Sequence, residues 1–139
     1  MAGHTSFNRS VFEAFRADDR PGPVHMLNLV RLRLQAVYKD GRTATGLEAY
    51  RTYGWLSAPV LARLGGRIAW RGGFELNLVG PAGASWDIAF IAEYPSPAAF
   101  VGMFADPRYR EAMVHRQAAV ADSRLIRFRA LPAGAGFAG

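Results

Sequence analysis

Two helix-start signals ten residues apart, Pro95-Ser96-Pro97 and Asp106-Pro107, constrain this chain more than any other feature. Ser96 is placed as an N-cap with Pro97 as the first helical residue, and Asp106-Pro107 repeats that chemistry, so one helix ends and a second begins. The run before them, Asp87 to Tyr94, reads as a strand that Pro95 stops. The run after them, Arg124 to Ala130, reads as another strand. Counting 100° per residue on the second helix from Tyr109, Met113 and Val120 fall within about 40°, and Ala112 and Ala119 flank them. Arg116 falls about 20° from Tyr109, inside the apolar stripe. A cation aimed at a core needs a fixed carboxylate or a bound ligand as its partner.

The first half of the chain repeats the pattern. Phe7 to Ala17 is a short helix after a possible cap at Ser6, with Phe7, Val11, Ala14 and Phe15 on one face. The turn cluster Asp18 to Pro23 ends it. Val24 to Arg33 is the first strand, with Val24, Met26, Asn28, Val30 and Leu32 on one side. Thr45 and Glu48 form a capping box for the second helix, whose stripe is Leu47, Tyr50, Gly54, Ala58, Leu61 and Leu64. Pro59 should kink that helix, and Gly65-Gly66 closes it with a left-handed cap. The second strand runs from Arg67 to Val79, with a bulge or bend at Gly72-Gly73.

After the first helix the order is therefore β-α-β-β-α-β, the ferredoxin-like pattern. The fold class is α+β: an extra N-terminal helix, then a four-stranded antiparallel sheet with helices on one face. Residues 1–131 are expected to form a single domain and 132–139 a flexible tail. On the third strand Ile88, Phe90 and Ala92 share one face, while Ala89 and Ile91 make the other face apolar too. A sheet that is greasy on both faces needs a second cover, and another copy of the chain is the simplest one.

The chemistry-bearing residues are few. The chain has no cysteine, which excludes disulfides, thiolate metal sites and cysteine nucleophiles. No phosphate loop, dinucleotide fingerprint or serine elbow is present, and the three histidines are far apart in sequence, so neither cofactor nor metal is expected. The N-terminus lacks the apolar core of a secretory signal and no apolar run reaches membrane length, so a cytoplasmic protein with no membrane partner is the default. Arg116 is a candidate anchor for a carboxylate or enolate, or else a structural ion-pair partner of Glu93 or Asp122. Asn28 is a polar residue on an apolar strand face, able to polarise a carbonyl or to bond a nearby loop. Tyr50 and Tyr53 are neighbours on the second helix, each a hydroxyl donor or a structural bond. Glu93, if directed inward, would have a raised pKa and serve as a base. His115 is a candidate general base about 120° off the stripe centre of the helix that starts at Asp106-Pro107.

These residues carry a resemblance. Leu27-Asn28-Leu29, Tyr50-x-x-Tyr53, Pro59, Gly65-Gly66-Arg67, Trp70-Arg-Gly-Gly73 with Glu75, Glu93-Tyr-Pro-Ser96, Asp106-Pro-x-Tyr109, Arg116 and Asp122-Ser123 are similar to the dimeric α+β barrel superfamily. Within it they resemble the family catalogued as domain of unknown function thirteen-thirty, over roughly Val24 to Phe128. The first helix and the connection from Arg31 to Thr45 look like additions of a longer subgroup. The resemblance implies a homodimer whose two sheets face each other, and a cavity between sheet and helices in each subunit. It does not imply a reaction.

The expected function is binding of a small acidic or carbonyl compound in that cavity, with or without cofactor-independent catalysis. The alternative is a homodimeric structural or stress protein with no small-molecule role, in which Arg116 is fully paired and no ligand-sized cavity exists. RNA binding is the third reading, since the net charge is +6 and the element order is that of the RNA recognition motif. It fails on residues: the third strand, Trp86-Asp-Ile-Ala-Phe-Ile-Ala-Glu93, lacks the glycine and the paired stacking aromatics and adds a carboxylate. No nucleic-acid partner is expected.

Overall fold

The computed structural model describes residues 3–139; the first two residues of the expected domain lie outside it. Eight elements follow in order: α1 (Arg9–Ala17), β1 (Val24–Leu32), α2 (Gly46–Arg63), β2 (Arg67–Gly73), β3 (Ile88–Tyr94), α3 (Pro97–Met103), α4 (Pro107–Ala119) and β4 (Val120–Phe128). The strands lie in the order β2-β3-β1-β4, and every neighbouring pair is antiparallel. This is the ferredoxin-like sheet that the element order predicts.

Local chemistry sets most boundaries. The Thr45 hydroxyl accepts the Glu48 N–H at 3.0 Å and the Glu48 carboxylate accepts the Thr45 N–H at 2.8 Å, completing the capping box. Ser96 caps α3 and Asp106 caps α4, each followed by proline. Gly65, at φ +79°, supplies the left-handed turn after α2. Asp106 is also ion-paired to Arg63, so the end of α2 is tied to the start of α4.

α2 runs through Pro59 to Arg63 as one helix. Three expectations change. Asn8, not Ser6, caps α1, because its side-chain oxygen accepts both the Ser10 and Val11 N–H groups. β2 stops at Gly73, and no strand continues to Val79. β4 starts at Val120 rather than Arg124 and ends at Phe128, not Ala130. Val120 leaves the helical stripe because it pairs with Leu32 on β1, where its β-branched side chain is also favoured.

The long connection after β1 folds back over the end of α4. The Arg33 N–H donates to the Ala119 carbonyl at 2.8 Å and the Val37 N–H to the Ala118 carbonyl at 2.9 Å, satisfying acceptors that a helix end leaves open. The connection rejoins α2 at Gly46, where a Cβ would run into the Arg33 carbonyl oxygen, with the Arg33 carbonyl carbon 2.8 Å away. Both obstacles are backbone and cannot swing aside. Gly46→Ala is expected to cost roughly 1–3 kcal/mol, the range for overpacking, read as a lower urea midpoint.

The core has two parts. Val24, Met26, Val60, Tyr94, Phe100, Met103 and Tyr109 form one cluster, and Val30, Tyr38, Ala49, Ala118, Ala119 and Val120 the other. α2 packs chiefly along α4 and barely touches the sheet. The space this leaves, next to the strand position of Asn28 between Met26 and Val30, is a cavity.

Candidate functional site

The cavity has a volume of about 1280 Å³ and lies between the helices and the inward sheet face. Strand register puts Arg71, Phe90, Asn28 and Leu125 in one row across all four strands on that face. The row beside it, Gly73, Ile88, Val30 and Ser123, ends under Arg116 of α4. Tyr50 and Tyr53 of α2 complete the opposite wall. Asn28, Tyr50, Tyr53 and Arg116 therefore share one chamber.

Arg116 has neither of its expected carboxylate partners. Its Nη1 donates to the Thr5 carbonyl at 3.2 Å and its Nη2 to the Ser123 hydroxyl at 3.4 Å. Both contacts are at or beyond the long end of the N–H···O range, and both acceptors are neutral. A guanidinium has five N–H donors, so this cation is under-coordinated. Among the described residues it forms no ion pair. Glu93 and Asp122 are engaged elsewhere, as described below.

The Tyr53 and Tyr109 hydroxyls bond each other at 2.8 Å. Tyr50 leans its ring on Tyr53 at 5.4 Å between centroids, and its hydroxyl has no hydrogen-bond partner among the described residues. Burial raises the pKa of Tyr50, which Tyr53 adds to and the positive charges of Arg116 and Arg71 oppose. Burial likewise raises Tyr53 and Tyr109. At neutral pH these phenols are protonated donors. Asn28 spends one N–H on the Met26 carbonyl, 3.1 Å away, and keeps the rest of its amide for the chamber.

Arg71 is the residue that the sequence reading missed. It lines the cavity, pairs across from Phe90 and influences the Tyr50 phenol, and among the described residues it has no ion-pair or hydrogen-bond partner. Plain alternation would place it on the same face as Arg67. The pairing with β3 slips between Ile68 and Trp70, and that irregularity turns Arg71 inward while Arg67 faces out.

Two expected site residues lie outside the chamber. Glu93 sits on the opposite, open face of the sheet, where it accepts from Arg67 Nε at 3.0 Å and meets His25 Nε2 at 2.9 Å. Arg67 first, and then His25, hold its carboxyl below the ordinary 4.5, the reverse of the raised value expected for an inward base. His115 meets the Tyr38 hydroxyl through Nδ1 at 2.7 Å and fastens the long connection to α4. Among the described residues no three His, Asp or Glu side chains gather as a metal-ligand set.

A strap of residues at the N-terminus borders the cavity beside Arg116. Asp122 accepts the His4 N–H at 2.8 Å, and the Ser123 hydroxyl donates to the His4 carbonyl at 2.7 Å. Asp122 is also ion-paired to Arg124 at 2.9 Å and to Arg31 at 3.5 Å. The His4 N–H, aided by Arg124, holds the Asp122 carboxyl below its ordinary 3.8. A lowered acid pKa stabilises the fold fully above that ordinary value, and the contribution is lost as pH falls through the folded-state value. Below pH 3.8 the strap is expected to detach before the sheet unfolds, seen as faster amide exchange at His4 and Thr5.

The family model described as Domain of unknown function (DUF1330) matches residues 42–128, more than half of the chain. The chain belongs to the DUF1330 family. The matched segment of this DUF1330 protein carries Tyr50, Tyr53, Arg71 and Arg116, whereas Asn28, α1 and the strap precede it. The chain is similar to the crystal structure of the methylated RPA0582 protein, at 61% identity and TM-score 0.94, covering 96% of this chain and 99% of that one. A second structure, of RPA0582 as a protein of unknown function from Rhodopseudomonas palustris, is 60% identical with TM-score 0.91, covering 94% of this chain and 99% of that one. The few residues outside the first match are fewer than the nine of α1, so that match takes in at least part of α1. No curated protein matches the chain. No described helix is long and apolar enough to cross a membrane.

Proposed function

We propose that this DUF1330 protein binds a small organic anion, a carboxylate or enolate, in the chamber between sheet and helices. The observation that carries this reading is the under-coordinated Arg116, a cation with two long bonds to neutral oxygens in a cavity of ligand size. Arg116 and Arg71 supply the charge, and the Tyr50 hydroxyl and the Asn28 amide supply directed donors. The wall is poor in bases. Apart from His4 of the strap it offers Asp87, whose carboxylate already accepts the Leu32 N–H at 2.6 Å. With Glu93 and His115 elsewhere, the chamber favours binding over proton transfer. A structural role in which Arg116 is fully ion-paired is opposed by the lack of a carboxylate partner among the described residues.

We infer too that a second copy covers the open sheet face. Trp70, Ile91, Leu27 and Ile126 form an apolar row across all four strands there, with Trp70 53% and Ile126 41% exposed. Gly72 lets the Trp70 indole lie on the sheet, since a Cβ at Gly72 would come within 2.6 Å of the ring. A flat apolar belt of this kind is what a self-complementary interface uses.

The test of the binding reading is a thermal-shift series with benzoate, phenylacetate and their neutral amides. A ligand at a hundredfold its dissociation constant adds about 2.7 kcal/mol, which is several degrees in a domain of this size. Stabilisation by acids and not by amides is expected. Equal stabilisation by both, or by neither, would overturn the reading.

A further inference from the structure

The cavity is larger than an anion site needs: Arg116 and Arg71 stand toward one end and a cluster of aromatic rings toward the other, where Arg127, paired with Asp18, covers the Phe15 ring at 4.5 Å. Along the inward face of α4 stand Tyr109, Met113 and Arg116. The ring of Tyr109 meets Phe104 edge-on at 5.1 Å. Seven residues further, about 10 Å along a helix axis, is the Arg116 cation. β3 repeats the arrangement on the opposite wall. Phe90 shares its row with Arg71 and Asn28, while Tyr94, four residues on and about 13 Å along the strand, meets Phe100 edge-on at 5.2 Å. Two independent elements thus set a cationic end and an aromatic end apart, by about 10 Å along the helix and about 13 Å along the strand.

α1 closes the aromatic end. Phe12 stands edge-on to Phe104 at 6.1 Å, and Phe15 is tilted on Phe100 at 4.9 Å. Both rings line the cavity, and α1 has no fully buried residue. Its aromatic face packs on Phe100 and Phe104 and still borders the cavity. α1 precedes the family-matched segment, whereas Tyr94, Phe100, Phe104 and Tyr109 lie within it.

We propose that the ligand is a monocarboxylate carrying a flat aromatic system of at least two rings, its carboxylate on Arg116 and its rings beneath α1. The proposal rests on the anion reading above and specifies the ligand's class. With Tyr109 and Arg116 about 10 Å apart along the helix axis, a second ring in line carries the ligand further toward the aromatic end than one ring does. Rings are favoured over an alkyl chain because the walls at this end are aromatic, and ring–ring contacts add to what area burial alone supplies.

Calorimetric titration of the full-length protein with benzoate, biphenyl-4-carboxylate, biphenyl-4-carboxamide and dodecanoate tests it, on the wild type and on Phe12→Leu and Phe15→Leu. Biphenyl-4-carboxylate is expected to bind at least tenfold more tightly than benzoate and more tightly than dodecanoate. Each leucine variant is expected to narrow the biphenyl preference and to leave benzoate unchanged. Equal binding of benzoate and biphenyl-4-carboxylate, or a biphenyl preference untouched in both variants, would overturn the two-ring ligand and leave the anion site standing. Tighter binding of dodecanoate would replace the aromatic tail with an alkyl one. Carboxamide binding as tight as the carboxylate, or no binding by any probe, would remove the anion site along with the inference.

Discussion

Arg116→Gln is expected to weaken carboxylate binding about a hundredfold and to leave the melting temperature nearly unchanged. Two charge-assisted hydrogen bonds to a carboxylate, each worth roughly 1.5–3 kcal/mol, set the loss, and about 3 kcal/mol is two powers of ten in affinity. Stability should hardly respond. The only bonds to be lost are long ones, at 3.2 and 3.4 Å, to neutral oxygens that glutamine's amide still reaches toward. A structural arginine behaves in the opposite way, because breaking a buried ion pair costs about 3–5 kcal/mol by stranding the partner charge. Calorimetry for affinity and a thermal melt for stability separate the two. A large fall in melting temperature with unchanged carboxylate affinity would return Arg116 to a structural role.

Ile91→Asp is expected to make the protein monomeric while leaving it folded. Ile91 lies at the middle of the outward row, paired with Leu27 on one side and Trp70 on the other. A carboxylate there would be buried without a cation at the centre of a two-copy interface, at a cost of several kcal/mol and twice over by symmetry. In a single subunit the same side chain is only half-buried, so the sheet should tolerate it. Sedimentation velocity reads the change directly. A wild type that sediments as a monomer would remove the dimer, and a variant that still dimerises would move the interface to another surface.

The parts of this fold that were legible in the sequence are those written in local chemistry. The Thr45–Glu48 box, the prolines after Ser96 and Asp106, and Gly65 each act within one turn of chain. Arg116 was legible for the same reason, since helical periodicity fixes its direction relative to Tyr109. Arg71 was hidden because one slip in the pairing of β2 with β3 reverses which way it faces, and nothing at Ile68 to Trp70 marks that slip. Glu93 shares its strand face with Ala89 and Ile91, yet a strand that is apolar on both faces gives no sign of which face the helices cover. His115 lost its place as a candidate base to Tyr38, whose approach depends on how the long connection after β1 returns across α4. The cavity itself follows from α2 resting on α4 instead of the sheet, a tertiary fact with no local signature.

The oxygen that Thr5 offers to Arg116 belongs to the main chain. Any residue at position 5 supplies the same carbonyl, so this bond makes no demand on the side chain there. The arginine's nearest neighbour in this protein is thus of a kind that comparative sequence methods overlook. Lengthening or shortening the strap by one residue would disturb it where twenty different side chains would not.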